Sequence, residues 1–389
     1  MSKVNFNNVD LKISDAEFQL RTSNIKEKMI KAGIDLLVLA GDEFNQGYIR
    51  YVSDYRPILE HALVLITANE DPILLCGPEC KTLAIQTAKI KNIKVCSDIA
   101  IPGEEYPNEK MYSFKDILKE IESKNKINKI GVVDLNLIPN FLIENILNVC
   151  SDKEIINSSI ILDELRAIKS EVEINIIKIA YEMATVGVNK GLENLSIGKS
   201  ETEIAGEMSY PIWKMGAEQM SHTFLVTSGI NTSPALNFPS GSKLINDGDF
   251  VILDIGAVYK GYYSDIATTR IVGKRSKDKE NVLDVARKAR EAAISKIKPG
   301  IEGKEIDLAA REITSRAGFE KNHLYGVCHG VGLQHCEYPF FGPTSEIEVR
   351  EGMIFTVDIG LFNFEFGGVR LEDGIIVTGS SCEVFRIDD

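Results

Sequence analysis

Val251-Ile252-Leu253-Asp254-Ile255-Gly256 and Ile354-Phe355-Thr356-Val357-Asp358-Ile359-Gly360 are two copies of one phrase, an apolar strand that ends in Asp-Ile-Gly. After each copy the chain turns and returns to a second acid, Asp265 in the first and Glu372 in the second. A turn centred on Tyr259-Lys260, with Gly261 beside it, predicts a hairpin that sets Asp254 directly opposite Asp265, with Cβ atoms about 4.5 to 5.5 Å apart. Asp358 and Glu372 are symmetric about Glu365 in the same way, next to Gly367 and Gly368. Like charges opposed on one face destabilise a sheet and cannot all ionise uncompensated. A divalent cation, or two, removes the conflict. Four carboxylates with His329 as a fifth donor suit manganese, ferrous iron, cobalt or zinc better than a thiolate-preferring metal. Arg370, two residues before Glu372, shares its face and can brace the cluster. Taken singly, Asp254 and Asp358 also read as ordinary strand-end residues before a glycine.

Around this core the chain has 389 residues, more than one ordinary hydrophobic core accommodates, so two domains are expected. Apolar residues at 44% and charged residues at 26% are values of a globular protein without long disordered tracts. The net charge of −13, with no basic cluster, argues against nucleic acid or an anionic membrane as partner. No apolar run reaches the length of a membrane span, and Met1 to Asp10 lacks a signal pattern, so a cytoplasmic protein is expected. Seven scattered cysteines, odd in number, predict reduced thiols. Cys76-Gly-Pro-Glu-Cys80 has no second pair or histidine beside it and reads as small packing residues.

Residues 1–162 predict an α/β domain. Its strands are expected at Asp35 to Gly41, Ala62 to Thr67, Pro72 to Gly77 and Lys129 to Asp134, and its helices at Glu79 to Lys89, Phe114 to Ser123 and Phe141 to Val149. No glycine-rich phosphate loop follows a strand. Residues 163–389 predict two helices, Glu171 to Leu195 and Glu201 to Met215, a strand near Thr223 to Ser228, then the first acidic hairpin. Helices Lys279 to Ile297 and Lys304 to Ala317 precede the second hairpin. Two helices and a hairpin thus occur twice, which predicts a pseudo-symmetric α+β domain.

Asp254-Ile-Gly, Gly261-Tyr-Tyr-Ser-Asp265, His329-Gly-Val-Gly-Leu333, Gly352-Met-Ile-Phe-Thr-Val-Asp358 and Gly368-Val-Arg-Leu-Glu372-Asp373 stand in an order that resembles the creatinase, prolidase and aminopeptidase P family, peptidase family M24. The resemblance covers nearly the whole chain, including the joining phrase Leu165-Arg-Ala-Ile-Lys-Ser170. It implies a creatinase-type N-terminal domain and a "pita-bread" catalytic domain. It also implies a dinuclear site of Asp254, Asp265, His329, Asp358 and Glu372, with manganese foremost and cobalt, zinc or iron as alternatives. The family also implies a homodimer.

Several positions depart from the family pattern. Asp358 replaces a glutamate that serves the peptidases as general base. Cys336 stands where they carry a histidine, with His335 displaced by one; on a strand that displacement turns the ring to the other face. Another histidine is missing at about Leu236-Asn237, and a third position is Tyr325.

The implied activity is hydrolysis of a Xaa-Pro dipeptide or a peptide with proline second. Asp358 would relay the proton, and Tyr325 or His335 would steady the tetrahedral intermediate. His222, Tyr263 and Cys336 are candidates to line or support the pocket. Arg56 and His61 sit where some relatives send a loop into the neighbouring subunit's active site. The alternatives are a non-peptidase relative acting on a small amide or osmolyte, as creatinase, ectoine hydrolase or dimethylsulfoniopropionate lyase do, and a metal-free binding protein of the same fold.

Overall fold

The computed structural model describes residues 11–135, 138–223 and 226–388. Met1–Asp10, which entered the reading of localisation, and Phe224 and Leu225, inside an expected strand, lie outside the described residues. The chain divides into two compact units, Lys12–Arg166 and Ala167–Asp389, the second including Leu11. The expected division after Leu162 falls inside the helix Ser159–Ala167.

The first unit is a six-stranded mixed sheet of β1 (Leu36–Gly41), β2 (Ala62–Thr67), β3 (Ile73–Cys76), β4 (Asn92–Val95), β5 (Lys129–Val133) and β6 (Glu154–Asn157), in the order β4-β3-β2-β1-β5-β6. The four expected strands are all present. Strands β4 and β6 were missed because both are short edge strands whose residues are mostly exposed or half-buried, so neither shows an apolar run. Leu36, Val38, Leu63, Leu65, Ile130 and Val132 pack with Phe114, Ile117 and Leu118 of the helix Phe114–Glu122 in one core.

In the second unit, capping boxes start the two leading helices. Glu173 Oε2 accepts from the Ser170 amide at 2.8 Å and Glu203 Oε2 from the Ser200 amide at 2.7 Å, fixing Glu171–Asn194 and Glu201–Lys214. A small sheet joins β7 (Gln219–Met220), β10 (Ala257–Tyr259) and β11 (Tyr262–Tyr263). The main sheet contains β8 (Thr227–Ser228), β9 (Phe250–Ile255), β12 (Ile266–Ile271), β13 (Cys328–Gly330), β14 (Glu337–Phe341), β15 (Ile354–Phe364), β16 (Gly367–Val377) and β17 (Cys382–Phe385). Its order is β14-β13-β15-β16-β12-β9-β8, with β17 also on β16.

Alternation along these strands decides where the acids point. Val251, Leu253 and Ile255 of β9 share a core with Met183 and Val188 of the first long helix. Phe355, Val357, Ile359 and Leu361 of β15, with Val369, Leu371 and Ile375 of β16, share one with Val282, Ala286 and Ala289 of the helix Lys277–Ile294. The intervening residues Asp254, Asp358, Arg370 and Glu372 therefore face the opposite side of the sheet.

Register sharpens the picture. Asp358 pairs directly with Glu372, as expected. Glu372 pairs with Ala267 on β12, and Ala267 with Asp254 on β9. One row across four strands thus reads Asp358, Glu372, Ala267, Asp254. The residue in its middle is a methyl group, which leaves open the space between acids.

The first hairpin departs from expectation. Asp254 faces Ala267 and not Asp265, because one register, set by the turn, runs from Tyr259↔Tyr262 and Val258↔Tyr263 in the small sheet to Ile255↔Ile266 and Asp254↔Ala267 in the main one. Ser264 Oγ accepts from the Ala257 amide at 3.0 Å where the two sheets meet. The turn itself is centred one residue later, at Lys260-Gly261, both with positive φ (47° and 86°), as a type I′ turn requires. Asp265 lies two residues before Ala267, diagonal to Asp254 on the same face.

The glycine of each Asp-Ile-Gly phrase has a steric reason. A Cβ on Gly256 would stand 1.7 Å from the Ser264 carbonyl oxygen, and one on Gly360 would stand 2.2 Å from the Tyr325 hydroxyl. The joining phrase is anchored by a buried ion pair, Lys169 Nζ to Glu337 Oε1 at 2.9 Å, which ties it to the end of the segment carrying His335 and Cys336. Loss of either partner alone would strand a buried charge.

Candidate metal centre

The acid face of the sheet forms the floor of a cavity of roughly 490 Å³, lined among others by Asp254, Asp265, Asp358, Glu372, His222 and His329. Arg370 Nη1 donates to Asp254 Oδ2 at 2.5 Å, and its Nε lies 3.6 Å from Asp358 Oδ1. His329 Nε2 stands 3.5 Å from Glu372 Oε1 and 3.7 Å from Asp265 Oδ2. His335 Nε2 is 2.6 Å from Asp265 Oδ2, and His222 Nε2 is 3.3 Å from both Asp254 Oδ1 and Asp265 Oδ1.

Despite this crowding, Asp254 Oδ1, Asp265 Oδ1, Asp358 Oδ1, Glu372 Oε1 and His222 Nε2 are buried without a hydrogen bond. An unsatisfied buried polar atom costs about 1 to 3 kcal/mol, and more when charged. Five converging on one cavity are the arrangement expected of ligands arranged around cations. The four carboxylates outnumber the one arginine among them. Among the described residues two groups have metal-ligand spacing: His222, Asp265 and His335, and Asp265, His329 and Glu372. The donors thus fit divalent ions, which the open row position at Ala267 leaves space to accept.

The protonation state of the metal-free cluster follows from burial and neighbours. Burial, with the charges of Asp265 and Asp358 beside it, pushes Glu372 up to about 8. Burial and the Asp254 charge raise Asp358 against the pull of Arg370. Burial alone would raise Asp254 and Asp265, but Arg370 and His222 hold the first below the usual carboxylate range, and His335 and His222 hold the second well below it. Burial would lower His222 and His329; Asp254 and Asp265 raise the first well above an ordinary imidazole, and Cys336 and Glu372 do so for the second.

A raised histidine contributes stability that is full below its unfolded value near 6.5 and is lost as pH rises through the folded value. Glu372 and Asp358, also raised, oppose folding increasingly as pH rises above about 4. Asp265 and Asp254, lowered, work the other way only in acid, as pH falls through their folded values. Metal-free protein is therefore expected to lose melting temperature steadily from about pH 6.5 to 8.5. Protein loaded with divalent ions should not, because its ligands are already deprotonated. Thermal melts of both forms across that range check this.

The structure brings Asp254, Asp265, Asp358, Glu372, His329, Arg370, His222 and His335 together. His335 corrects an expectation: its ring reaches the acids although it is displaced by one position, because residues 331–336 form bends and not a strand, so strand parity does not apply. His222, which carried no motif, also stands over the acids, so the cavity holds an imidazole there although none occurs near Asn237.

Tyr325 does not line the cavity; its hydroxyl accepts from Arg370 Nη2 at 3.2 Å and sits beside Asp358, which makes it a brace. Tyr263 is buried, its hydroxyl accepting from Gln219 Nε2 at 3.1 Å and its ring packed with Val258 and Val331. Cys336 is exposed, with its thiol in hydrogen-bonding reach of His329. Arg56 and His61 belong to the first unit, where His61 lies 3.7 Å from Asp42 and packs on Phe141. Thr223, Leu236, Asn237 and Phe238 also line the cavity. Of these only Leu236 and Asn237 drew notice in the sequence, as the place of an absent histidine; Phe238 carries no signal beyond being aromatic.

A mixed-sheet N-terminal unit followed by a repeated helix-pair-and-hairpin unit, with acids converging on one face, defines a metallohydrolase of the creatinase and prolidase architecture. Residues 21–168 match the creatinase/prolidase N-terminal domain and residues 175–379 match metallopeptidase family M24, to which this chain belongs. The Xaa-Pro dipeptidase of Pyrococcus horikoshii is 30% identical over 358 residues, which cover 92% of this chain and 94% of that protein. The crystal structure of the prolidase from Pyrococcus horikoshii OT3 is similar with a TM-score of 0.82 at 28% identity, covering 95% of this chain and 99% of that one. A Xaa-Pro dipeptidase from Bacillus anthracis is similar with a TM-score of 0.81 at 27% identity, covering 96% and 98%. The chain is a metal-dependent peptidase, and its family implies divalent metal ions. No helix among the described residues is long and apolar enough to cross a membrane.

Proposed function

We propose that the protein hydrolyses Xaa-Pro dipeptides, or peptides with proline second, at a site of two divalent ions held by Asp254, Asp265, His329, Asp358 and Glu372. The observation that carries this reading is the set of unpartnered carboxylate oxygens on the cavity floor, beneath a wall that includes the exposed side chains of Leu236 and Phe238. That wall suits a pyrrolidine ring, and the acids suit a cationic amine. Manganese is the first candidate because oxygen donors dominate the five-residue set. Bound ions there supply a water of lowered pKa and polarise the scissile carbonyl.

The protein's own groups do the rest. Asp358 stands on the cavity floor where it can accept or relay a proton, and Arg370 fixes its orientation together with that of Asp254. Tyr325 holds the guanidinium in place from behind. The small-amide and osmolyte alternative drew its support from lost imidazoles, and His222 and His335 over the acids remove that support.

The reading extends to a homodimer in the cytoplasm. Its supports are seven free cysteines and the loop between Arg56 and His61, whose Ile58 and Leu59 are exposed for a second copy to cover. The test of substrate class is a manganese-supplemented assay of a Xaa-Pro dipeptide panel beside Xaa-Ala controls and small amides. Proline dipeptides are expected to be cleaved at least about 100-fold faster than the controls, a transition-state difference of nearly 3 kcal/mol. Turnover of an amide with none of any proline peptide would overturn the assignment.

A further inference from the structure

The five-residue set leaves two histidines unexplained. His222 and His335 lie beside Asp265 on the side where it approaches Asp254, with ring centroids 4.7 Å apart. We propose that His222 and His335 are metal ligands, so that one ion position is built from two imidazoles with Asp254 and Asp265, and the other from Asp265, His329, Asp358 and Glu372. This rests on the metallopeptidase reading and deepens it.

The orientation of His222 is the main argument. Its Nδ1 faces the Thr223 carbonyl oxygen at 2.8 Å, so Nδ1 is the nitrogen that carries the proton. In the neutral ring Nε2 is then a lone pair, and it points at two carboxylate oxygens 3.3 Å away with no donor between them. The three atoms repel unless a cation sits among them, either a second proton on Nε2 in the metal-free protein or a metal ion that takes its place. A ring whose Nδ1–H is held by a backbone carbonyl while Nε2 faces carboxylates is the arrangement that orients ligating histidines. His329 shows the same pattern, with Nδ1 3.2 Å from the Gly330 carbonyl oxygen and Nε2 towards Glu372.

Spacing agrees. Donors bonded to one ion at about 2.1 Å stand roughly 3.0 to 3.4 Å apart, which is the separation of His222 from both aspartates. His222, Asp265 and His335 offer donor atoms all within 4.8 Å of one another, and Asp265 belongs to both groups, one oxygen facing His222 and the other facing His329 and His335. Asp265 is thereby placed to bridge. Two imidazoles also change the preference of that position, from manganese towards cobalt or zinc, while the carboxylate-rich position keeps the preference for a harder ion.

X-ray absorption on the zinc-loaded full chain counts imidazoles without any substitution. The chain has only five histidines, and His61 and His323 lie elsewhere, so the expected result is three imidazoles shared over two ions. Titration of the His222→Ala/His335→Ala variant with zinc and manganese is the second arm. One ion should remain bound, and the other should weaken by at least about 100-fold, more for zinc than for manganese. Two ions that share a single imidazole, or a double variant that binds both ions as the parent does and loses only turnover, would overturn the assignment while leaving the peptidase reading intact. Parent protein that binds no divalent ion would overturn both.

Discussion

Replacing Asp265 by asparagine is expected to lower kcat/KM on a Xaa-Pro dipeptide by at least about 1,000-fold, equivalent to some 4 kcal/mol of transition-state stabilisation. Asp265 is the one carboxylate that all three histidines of the cavity approach, at 2.6 Å for His335, 3.3 Å for His222 and 3.7 Å for His329. It also belongs to both groups with metal-ligand spacing. The amide keeps the shape but loses the charge and presents a donor to groups that need an acceptor. Metal content should fall along with activity, because both ion positions lose a ligand. Substitution of Asp358, which belongs to neither of those two groups, should leave more of the metal in place. Steady-state kinetics with metal analysis of the two variants separates the effects, and an Asp265→Asn enzyme with near-parental turnover would remove this residue from the centre of the account.

Arg370→Met is expected to destabilise the metal-free protein by about 3 to 5 kcal/mol, because it takes from Asp254 and Asp358 the guanidinium between them. The guanidinium is nearly inaccessible and bonds Asp254 at 2.5 Å, approaches Asp358 at 3.6 Å, and donates to the Ala235 carbonyl and the Tyr325 hydroxyl at 3.2 Å each. Lysine cannot replace it, since one ammonium cannot serve four acceptors spread around a planar fork. With divalent ions bound, part of the missing positive charge is supplied by them, so the same substitution should cost clearly less. Urea unfolding of parent and variant, with and without manganese, measures both numbers. Equal losses in the two conditions would mean that the arginine and the ions do not compensate the same charges.

The second hairpin was legible because nothing interrupts it around the acids. Asp358 and Glu372 are symmetric about the turn, and the register follows from counting. The first hairpin was not, because its turn is centred at Lys260-Gly261, with a lysine in the left-handed region, and not at Tyr259-Lys260. Moving a turn centre by one residue moves every cross-strand partner by two, so Ala267 takes the place opposite Asp254 and Asp265 lies diagonal to it.

The helix starts were legible from Ser170 with Glu173 and Ser200 with Glu203, where local chemistry settles the matter. His222 and His335 were harder for opposite reasons. His222 has no neighbouring motif and reaches the site only through the tertiary fold, while His335 was judged by a strand rule in a stretch that is not a strand. Ala267 drew no notice at all, since a small residue between two acids becomes meaningful only once the strand order β15-β16-β12-β9 is known.

The central claim is that the converging carboxylates form a metal site that hydrolyses a proline peptide bond. Protein purified without chelator should contain close to two divalent ions per chain after manganese loading and exchange. Its Xaa-Pro dipeptidase activity should vanish on chelation and return in proportion to metal restored. Less than one ion per chain under saturating manganese, or proline dipeptide hydrolysis that persists in the fully metal-free protein, would contradict it.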